Sequence, residues 1–511
     1  MKRDGYNQSL WQETTTEIRV ETSPFPANKV FDVVIAGAGI TGVATGLALA
    51  KAGKSVLILE AHTIGFGTTG GTTAHLNTFL DTPYNTIQKK FSPTDASLVA
   101  ASVKQALDLI RRNVEEYHID CGYKQLPGYV FSQNEEQTKE LEDMIRASQE
   151  SNVECSASSV IPVNIPFEKA AEFPGQSTFH AGRYLKGLAE AFTSSGGIIL
   201  ENCRVTGVDD ATPNKVTTQS GDVFANHFIY ATHIPPGVNL LHFRCAPYRS
   251  YAMAFRLESE DAYPPALVYD MHDPYHYYRT QEIDGKLYLI AGGEDHKTGH
   301  EQNTDNCFRK LEAHVRNFFP VQEVTHQWSS QYYEPTDGLP YIGHLPGHTG
   351  TTYVATGYSG NGMVYSSVAA MLLTDLISTG KSEWDELYDP NRIKMVAGFS
   401  NFVKEAADVV GLLLKKTVPA TKLSGLSELA KGEAAIVNYE GSKVALYKDD
   451  SGEIFALHTA CTHIKCDVAW NSTEKTWDCP CHGSRFSYSG EVLTAPARKP
   501  LESIDLSDKE E

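Results

Sequence analysis

The segment KVFDVVIAGAGITGVATGLALAKAGKSVLILEA, residues 29–61, constrains the fold of this chain more than any other stretch. An apolar run ends in glycines, a helical pattern follows, and a second apolar run closes at Glu60. This order predicts a strand, a helix and a second strand, which form the βαβ unit of a parallel sheet. Gly37, Gly39 and Gly42 lie where the first strand turns into the helix, with the spacing G-x-G-x-x-G.

The three glycines and the acid after the second strand predict a dinucleotide-binding site. Gly37 allows the tight turn, Gly39 lets the backbone approach a pyrophosphate, and Gly42 lets the helix pack closely on the strand. The phosphates then meet the N-terminus of the helix, and Glu60, about 20 residues further on, can reach a ribose hydroxyl. The alternative is a strand-turn-helix unit with a purely structural role.

A second match to the glycine spacing runs from Gly65 to Gly70, in TIGFGTTGGTTAH. It follows the acid rather than a buried strand, so it does not predict a second dinucleotide site. Its small residues instead predict a loop that lies against the cofactor, with Thr68 as a contact residue. One dinucleotide is therefore expected.

Length, composition and charge limit the classes of protein to which the chain can belong. Its 511 residues exceed one ordinary core, and 41% apolar with 21% charged residues is typical of globular domains. A net charge of −19 argues against nucleic acid or an anionic membrane as a partner. The polar N-terminus lacks the apolar core of a secretory signal, and no apolar run reaches about 18 residues. We expect a cytoplasmic protein with no transmembrane segment.

Two segments in the second half resemble a known flavin-binding signature. EPTDGLPYIG, residues 334–343, and TTYVATGYSGNGMVYSSVAAMLLTDLI, residues 351–377, are similar to the C-terminal signature of the D-amino-acid-oxidase-like FAD oxidoreductases. That group includes glycine, sarcosine and glutamylputrescine oxidases. The resemblance covers about residues 30–380 and implies that the dinucleotide is FAD.

The resemblance also implies FAD contacts at single residues. Gly357, Gly360 and Gly362 give a flexible loop whose backbone can approach the isoalloxazine ring. Met363 follows at the start of a helix, whose N-terminal dipole can support negative charge on the flavin. Family analogy implies that Val205 offers its backbone to the adenine, and the alternative is an ordinary buried strand valine.

The substrate side is indicated by a departure from the family pattern. Amino-acid oxidases of this group often have an Arg-Pro pair before the Asp-Gly-x-Pro motif, and the arginine clamps a substrate carboxylate. This chain reads QYYEPTDGLP there, with Tyr332 about where the arginine would be and Glu334 after it. The clamp is therefore missing, and an acid with tyrosines suits an amine, as in the similar glutamylputrescine-oxidase branch. Glu334 as a solvated turn residue is the alternative. His75, Tyr358 and Arg279 are further candidates.

Four of the nine cysteines lie with two histidines in CTHIKCDVAWNSTEKTWDCPCHGSRF, residues 461–486. Cys461-x-His463 and Cys479-x-x-His482 offer two thiolates and two imidazoles on two loops, a set that can bind the two irons of a [2Fe-2S] cluster. The segment closely resembles the Rieske signature, C-T-H-x-x-C followed by C-P-C-H-G-S. The resemblance implies that these four residues are the cluster ligands.

The same resemblance implies a disulfide between Cys466 and Cys481 that joins the two loops. Lys465 stands where many relatives have glycine, and Phe486 stands where high-potential Rieske proteins have tyrosine, whereas Ser484 is retained. Because hydrogen bonds to cluster sulfurs raise the potential, we predict a value below the top of the range of roughly −150 to +300 mV. Structural zinc is the competing interpretation. Zinc needs only four ligands, so it would leave two of the cysteines and the segment HGSRF unexplained.

The predicted fold is an α/β, Rossmann-like FAD-binding domain with an inserted α+β substrate domain, followed by a small all-β Rieske domain. Helical patterns at 93–117 and 135–149, the strand-like YKQLPGYVFS and a β-rich stretch at 245–293 are assigned to the substrate domain. EAAIVNY, KVALYKD and IFALHTA predict short strands of the β-domain. An apolar stripe between Phe399 and Leu413 predicts a bridging helix, with a membrane-surface helix as the alternative.

The predicted boundaries divide the chain into four parts. They are an N-terminal extension (1–28), the FAD-dependent oxidoreductase (29–386), a bridging helix and linker (387–427) and the Rieske domain (428–511). Within the oxidoreductase, we assign 29–85, 165–240 and 330–380 to FAD binding, and 86–164 and 241–329 to the substrate domain.

FAD and a one-electron cluster on one chain predict an oxidoreductase. We expect hydride transfer from a small amine or amino acid to FAD, with electrons then passed singly through the cluster to an unknown acceptor. A Rieske-linked oxygenase or reductase, with electrons flowing from cluster to flavin, is an alternative, although no Asp-x-x-His-x-x-x-x-His-like run for a mononuclear iron is visible. A non-catalytic electron carrier or redox sensor is the third hypothesis.

Overall fold

The computed structural model describes residues 3–16, 18, 23–392, 429–439 and 441–505. The predicted helix between Phe399 and Leu413 and the predicted linker at 417–427 lie outside these residues. The α-helices of the described chain are α1 (Leu10–Thr14), α2 (Ile40–Lys51), α3 (Tyr84–Lys90), α4 (Pro93–Glu116), α5 (Glu135–Glu150), α6 (Ala181–Ser194), α7 (Thr304–Phe318), α8 (Gly362–Thr379) and α9 (Asp385–Tyr388). Short 3₁₀ helices span Thr68–Gly71, Leu240–Phe243 and Glu260–Ala262.

The described strands form four sheets. They are β1 (Val30–Ala36), β2 (Val56–Leu59), β3 (His75–Leu76), β4 (Lys124–Ser132), β5 (Ser156–Ser158), β6 (Lys169–Thr178), β7 (Ile198–Leu200), β8 (Val205–Asp209), β9 (Asn214–Thr218), β10 (Gly221–Tyr230), β11 (Cys245–Leu257), β12 (Leu267–Tyr269), β13 (Tyr277–Ile283), β14 (Lys286–Lys297), β15 (Val321–Pro335), β16 (Tyr341–His344), β17 (Thr352–Thr356), β18 (Ala434–Tyr439), β19 (Ser442–Lys448), β20 (Ile454–His458), β21 (Ala469–Asn471), β22 (Thr476–Asp478), β23 (Arg485–Ser487) and β24 (Val492–Thr494).

The first sheet contains the predicted βαβ unit. Its strand order is β16-β17-β10-β1-β2-β7, with β9 on β10 and β8 on β9. β1 runs parallel to β2 and to β10, so their carboxyl ends meet at one edge of the sheet. α2 begins at this edge with Gly39 as its N-cap, which confirms the predicted strand, helix and strand. In sheets of this kind a ligand binds at this edge.

The second sheet has nine strands in the order β15-β11-β14-β13-β12-β4-β6-β3, with β5 on β6. It holds the predicted β-rich stretch as β11 to β14 and the predicted strand YKQLPGYVFS as β4. The predicted helices at 93–117 and 135–149 are present as α4 and α5. α7 packs on β11 and β14 and covers part of this sheet.

Three strands lie in the second sheet although the predicted boundaries place them with FAD binding. β3 falls in the segment 29–85, β6 begins the segment 165–240, and the end of β15 begins the segment 330–380. Alternation of apolar and polar residues predicts a strand but not its partner, because either sheet gives the same period. These strands carry the chain between the sheets, so both sheets contribute to the space between them.

α8 is the one described helix that is long and apolar enough to cross a membrane. Its mean hydropathy is 1.3, and 67% of it is buried inside the protein, where it packs on α2 and α4. These contacts are those of a core helix.

The C-terminal region is an all-β unit built from two small sheets. β18, β19 and β20 form the first sheet and include the three predicted short strands, and β21 to β24 form the second. The loop that contains Cys461 and His463 follows β20, and the loop that contains Cys479 and His482 joins β22 to β23. The two cysteine and histidine loops therefore lie at one end of this unit.

The N-terminal extension joins the two larger parts of the molecule. Trp11 of α1 is fully buried, and Ser9 caps the helix with its side chain. Buried charged side chains from the extension, β11 and the C-terminal unit meet in one cluster, here called the charge cluster: Arg3, Asp4, Arg249, Glu474, Asp478 and Arg485. Three cations and three anions compensate one another, which allows their burial between the domains.

Candidate cofactor and substrate sites

A cavity of about 660 Å³ opens at the carboxyl ends of β1 and β10 and extends between the two large sheets. Residues from both sheets, from the N-terminal extension and from the C-terminal unit line it. Of the predicted FAD contacts, the lining includes Gly37, Gly39, Glu60, Thr68, Val205, Gly360, Gly362 and Met363. Gly42 and Gly357 are absent from the lining.

The glycine turn has the geometry that the fingerprint predicts. Gly37 has φ +104°, which favours glycine, and a Cβ there would lie 2.5 Å from the carbonyl oxygen of Ala231. A Cβ on Gly42 would lie 1.9 Å from the carbonyl oxygen of Gly37, so this glycine sets the close packing of α2 and needs no contact with the cofactor. The N-terminus of α2 therefore opens directly on the cavity, as phosphate binding requires.

Glu60 is oriented by two backbone amides. The N–H groups of Ala38 and His62 donate to its two carboxylate oxygens, each at 2.8 Å. Burial raises the pKa of Glu60, and these two hydrogen bonds oppose the rise. Each oxygen retains a second lone pair for a ribose hydroxyl.

Thr68 and Val205 reach the cavity from two further segments. The Thr68 hydroxyl donates to the Gln331 carbonyl at 2.9 Å, which joins the small-residue loop to β15. Val205 begins β8 and also packs against the apolar core beside the first sheet. Both the adenine contact and the structural role that the sequence left open are thus compatible with its position.

The glycine loop before α8 is held by an acid. The Gly360 N–H donates to Asp81 at 2.5 Å, and the Asn361 side chain accepts a hydrogen bond from the Asp81 N–H at 2.9 Å. Burial raises the pKa of Asp81, whereas the Gly360 hydrogen bond lowers it. Gly357 has φ +74° and packs near Cys245, so it shapes the turn.

The other end of the cavity is aromatic and acidic. Tyr269, Tyr275, Tyr277 and Tyr332 line it together with Asp81 and Asp295. The Tyr332 hydroxyl donates to Asp295 at 2.9 Å, and burial raises the pKa of Asp295 to about 6. Glu334, the acid that the sequence indicated, does not line the cavity. Asp295 and Asp81 were missed because strand pairing and the glycine loop, rather than local motifs, bring them here.

His75 and Tyr358 line the cavity, whereas Arg279 does not. The His75 ring lies edge-on to Tyr269 and Tyr277, and burial lowers its pKa well below the ordinary value, with a smaller effect of Arg279. His75 is therefore a neutral imidazole. Arg279 is fully buried against Phe179 and Trp11, and burial lowers its pKa to about 9.

The cysteine and histidine loops fit the predicted cluster. Cys466 and Cys481 form a disulfide, which leaves Cys461 and Cys479 as free, buried thiols next to each other. All four ring nitrogens of His463 and His482 are buried without a hydrogen-bond partner. Buried polar atoms need partners, so each of the two imidazoles is suited to offer one of its nitrogens to a metal. Geometry alone leaves four ligands, which zinc could also use.

The histidine side of this site faces the FAD-binding part of the chain. The His463 ring lies 4.8 Å from that of His242, and His482 is 1% exposed. The Tyr333 hydroxyl donates to the His482 carbonyl at 3.2 Å, and the Gln331 side chain donates to the Gly483 carbonyl at 2.9 Å.

Comparison with known proteins assigns both halves of the chain. Residues 32–376 match the family described as FAD dependent oxidoreductase, and residues 420–505 match the Rieske [2Fe-2S] domain. The chain belongs to the family of FAD-dependent oxidoreductases and carries a C-terminal Rieske domain. It is an FAD-dependent enzyme with a [2Fe-2S] cluster as its second cofactor, and this assignment removes the zinc alternative.

Individual relatives agree with this architecture. The Rieske 2Fe-2S iron-sulfur protein YhfW of Bacillus subtilis (strain 168) is 30% identical over 500 residues, covering 97% of this chain and 98% of that protein. Gamma-glutamylputrescine oxidoreductase of Escherichia coli (strain K12) is 26% identical over 380 residues, covering 69% of this chain and 85% of the relative. The structure of glycine oxidase from Geobacillus kaustophilus has a TM-score of 0.59 at 20% identity, covers 72% of this chain and all of that one, and so shares the fold.

Proposed function

We propose that this enzyme oxidises a small amine at FAD and passes the electrons one at a time through the Rieske cluster to an acceptor. One observation carries the proposal: strand β15 contributes to the FAD cavity and also contacts the cluster loop. Gln331 and Tyr332 line the cavity, while Gln331 and Tyr333 bond to Gly483 and His482. One strand thus contacts both cofactor sites, which supports direct electron exchange between them.

The cavity composition supports an amine as the substrate. Tyrosines and two acids surround its inner end, and the arginine clamp of the amino-acid oxidases has no counterpart among the described lining residues there. An ammonium group can pair with Asp295 or Asp81, and aromatic faces attract a cation. The similarity to a gamma-glutamylputrescine oxidoreductase also supports an amine.

The protein groups have separate tasks in this proposal. Asp295 receives the substrate ammonium, and Tyr332 holds its carboxylate in place. The tyrosine walls exclude water, and His75 stays neutral beside them. FAD, when bound, supplies the two-electron oxidation of the carbon next to nitrogen, and the cluster supplies one-electron steps. The imine product then takes up water and splits into an aldehyde or ketone and ammonia or a smaller amine.

Anaerobic mixing with a panel of amines and amino acids tests the proposal. We expect a small amine to bleach the flavin absorbance, and the cluster signal in electron paramagnetic resonance to grow afterwards. Amino acids lacking a second amino group should react more slowly, because their carboxylate meets Asp295 and Asp81. If no metabolite of the panel bleaches the flavin, an electron-carrier role is supported and the proposal is wrong.

The variant His482→Ala tests the route of the electrons. It removes a proposed iron ligand without changing the glycine turn, so FAD should remain bound. Turnover with a one-electron acceptor should fall at least 100-fold, while substrate still bleaches the flavin once. Full turnover in this variant would show that electrons leave the flavin by another route. His458→Ala, an exposed histidine of the same domain, is the matched control and should keep wild-type turnover.

A further inference from the structure

The Rieske domain forms one wall of the FAD cavity. Leu493, Thr494, Ala495, Ala497, Arg498 and Lys499 line it together with the glycine turn and Glu60. The segment 493–499, here called the Rieske wall, begins within β24 and lies outside the cluster loops. Nothing in the flavin-binding motifs of the sequence indicated that this segment belongs to the cavity.

Hydrogen bonds attach the Rieske wall to the FAD-binding sheet. The Gly237 N–H donates to the Pro496 carbonyl at 2.8 Å, and Arg498 donates to the Pro236 carbonyl at 2.9 Å. Arg204, next to Val205, donates to the Val492 carbonyl at 3.1 Å. The wall is therefore held at the dinucleotide end of the cavity by contacts on two sides.

The distribution of charge gives this wall a binding role. Among the described lining residues, the permanently cationic side chains are those of Arg204, Arg498 and Lys499. Two of the three belong to the Rieske wall, and the third is hydrogen-bonded to the residue before it. The dinucleotide carries two phosphate charges, whereas the chain has a net charge of −19, so local cations lower the repulsion that the phosphates meet.

We propose that the Rieske wall is part of the FAD site, and that Arg498 and Lys499 bind the FAD phosphates by charge. FAD is then held between two domains rather than by the flavin domain alone. The inference does not depend on the proposed substrate or on the direction of electron flow, because it concerns cofactor affinity only.

The Rieske wall also contacts both cluster loops. Thr462, between Cys461 and His463, donates to the Lys499 carbonyl at 2.6 Å, and the Ala497 N–H donates to the Ser484 hydroxyl at 3.0 Å. The Ser484 hydroxyl keeps its own proton for a cluster sulfur. One segment thus connects the dinucleotide end of the cavity with the surroundings of the cluster.

The test measures the affinity for FAD of the full-length, cluster-loaded protein. FAD is first removed and then titrated back, and binding is monitored by flavin fluorescence. In low salt, the double variant Arg498→Ala, Lys499→Ala should bind FAD about tenfold more weakly than wild type, since two exposed charge contacts are lost. The difference should shrink in high salt, because screening weakens the wild-type contacts. Lys431→Ala, an exposed lysine of the same domain outside the cavity, should bind FAD as wild type does.

A charge-conserving variant distinguishes an effect of charge on FAD affinity from an effect on folding. Arg498→Lys, Lys499→Arg should keep FAD affinity within about twofold of wild type, since the positive charge is retained. The cluster spectrum, recorded in every variant, should be unchanged. Equal FAD affinity of wild type and the double alanine variant in low salt would overturn the proposal, as would equal loss in the charge-conserving variant.

Discussion

Asp295 is the residue on which the proposed recognition of the substrate depends. The sequence indicated Glu334, with a solvated turn residue as the alternative. Inside the cavity, Asp295 accepts a hydrogen bond from the Tyr332 hydroxyl. Its neighbours along the chain, in AGGEDHKTG, give no motif. Only the pairing of β14 with β11 and β13 brings it to the cavity, and pairing between distant strands cannot be read from local patterns.

We expect Asp295→Asn to raise the KM for the amine about tenfold or more, with the flavin spectrum unchanged, because it removes a ground-state contact with ammonium. The pKa of Asp295 is raised to about 6, so the carboxylate is charged above that pH and neutral below it. The wild-type KM should therefore fall as pH rises through about 6, and the variant should lack this dependence. Steady-state kinetics from pH 5 to 8 provide the measurement, and unchanged KM would exclude Asp295.

Glu334→Gln is the matched control, since it makes the same acid-to-amide change on the strand that carries Tyr332. Because Glu334 does not line the cavity, we expect a KM within about twofold of wild type. A larger rise in Glu334→Gln than in Asp295→Asn would restore the assignment that the sequence favoured.

Lys465 occupies a backbone conformation that favours glycine. Its φ is +69°, in the left-handed region that costs most residues about 1–2 kcal/mol. Lys465→Gly should raise the free energy of unfolding of the Rieske domain by about 0.5–1 kcal/mol, after allowance for the freer unfolded chain. Urea unfolding followed by the cluster absorbance measures it. Lys448→Gly, within strand β19, should destabilise instead.

At the scale of elements, the sequence predicted those structures whose signals are local. The βαβ unit, α4, α5, β4 and the short strands of the Rieske domain were all recognised from period and turn residues and are confirmed. The sequence did not predict that β3, β6 and β15 belong to the second sheet, because sheet membership depends on partner strands far along the chain. The helix between Phe399 and Leu413 lies outside the described residues and stays a prediction.

The close contact of α2 with β1 makes Gly42 a test of the dinucleotide turn. Gly42→Ala places a Cβ 1.9 Å from the carbonyl oxygen of Gly37, and this contact is with backbone, which has little room to adjust. We expect FAD affinity to fall at least tenfold while the cluster remains. Gly350→Ala, where a Cβ meets nothing within 4 Å, should bind FAD normally. Equal FAD affinity in both variants would show that the glycine turn does not determine cofactor binding.

At the scale of the whole molecule, the N-terminal extension was the part that the sequence described least. Its composition is polar, and polar segments are expected at the surface. In the structure Arg3 and Asp4 are buried, because Arg485, Glu474 and other charges from distant segments meet them. Ion pairs between residues nearly 500 positions apart leave no local pattern in the sequence. This arrangement places the cluster histidines against the flavin domain.

The charge cluster should therefore govern how firmly the Rieske domain is attached. Arg485 pairs with Asp4 at 2.9 Å and with Asp478 at 3.2 Å, and all three are buried. Although burial acts to raise the pKa of Asp478, Arg485 and Arg249 keep it below the ordinary value, so the carboxylate is charged. Removal of Arg485 takes the nearest cation from two buried anions, Asp4 and Asp478, which keep only the longer contacts with Arg3 and Arg249. Loss of one partner from a buried ion pair is more costly than loss of the pair as a whole.

We expect Arg485→Met to lower the free energy of unfolding by about 3 kcal/mol, and to do so first in the Rieske domain, as followed by cluster absorbance in urea. Adding Asp478→Asn should recover part of the loss, because the buried cluster then no longer has one anion more than it has cations. Lys139→Met, which breaks an exposed pair with Glu135, should change stability by less than about 0.5 kcal/mol. If Arg485→Met shifted the urea midpoint no more than Lys139→Met, the buried charges would not hold the domains together, and the cluster would be kept beside the flavin by the contacts of Tyr333 and Gln331 alone.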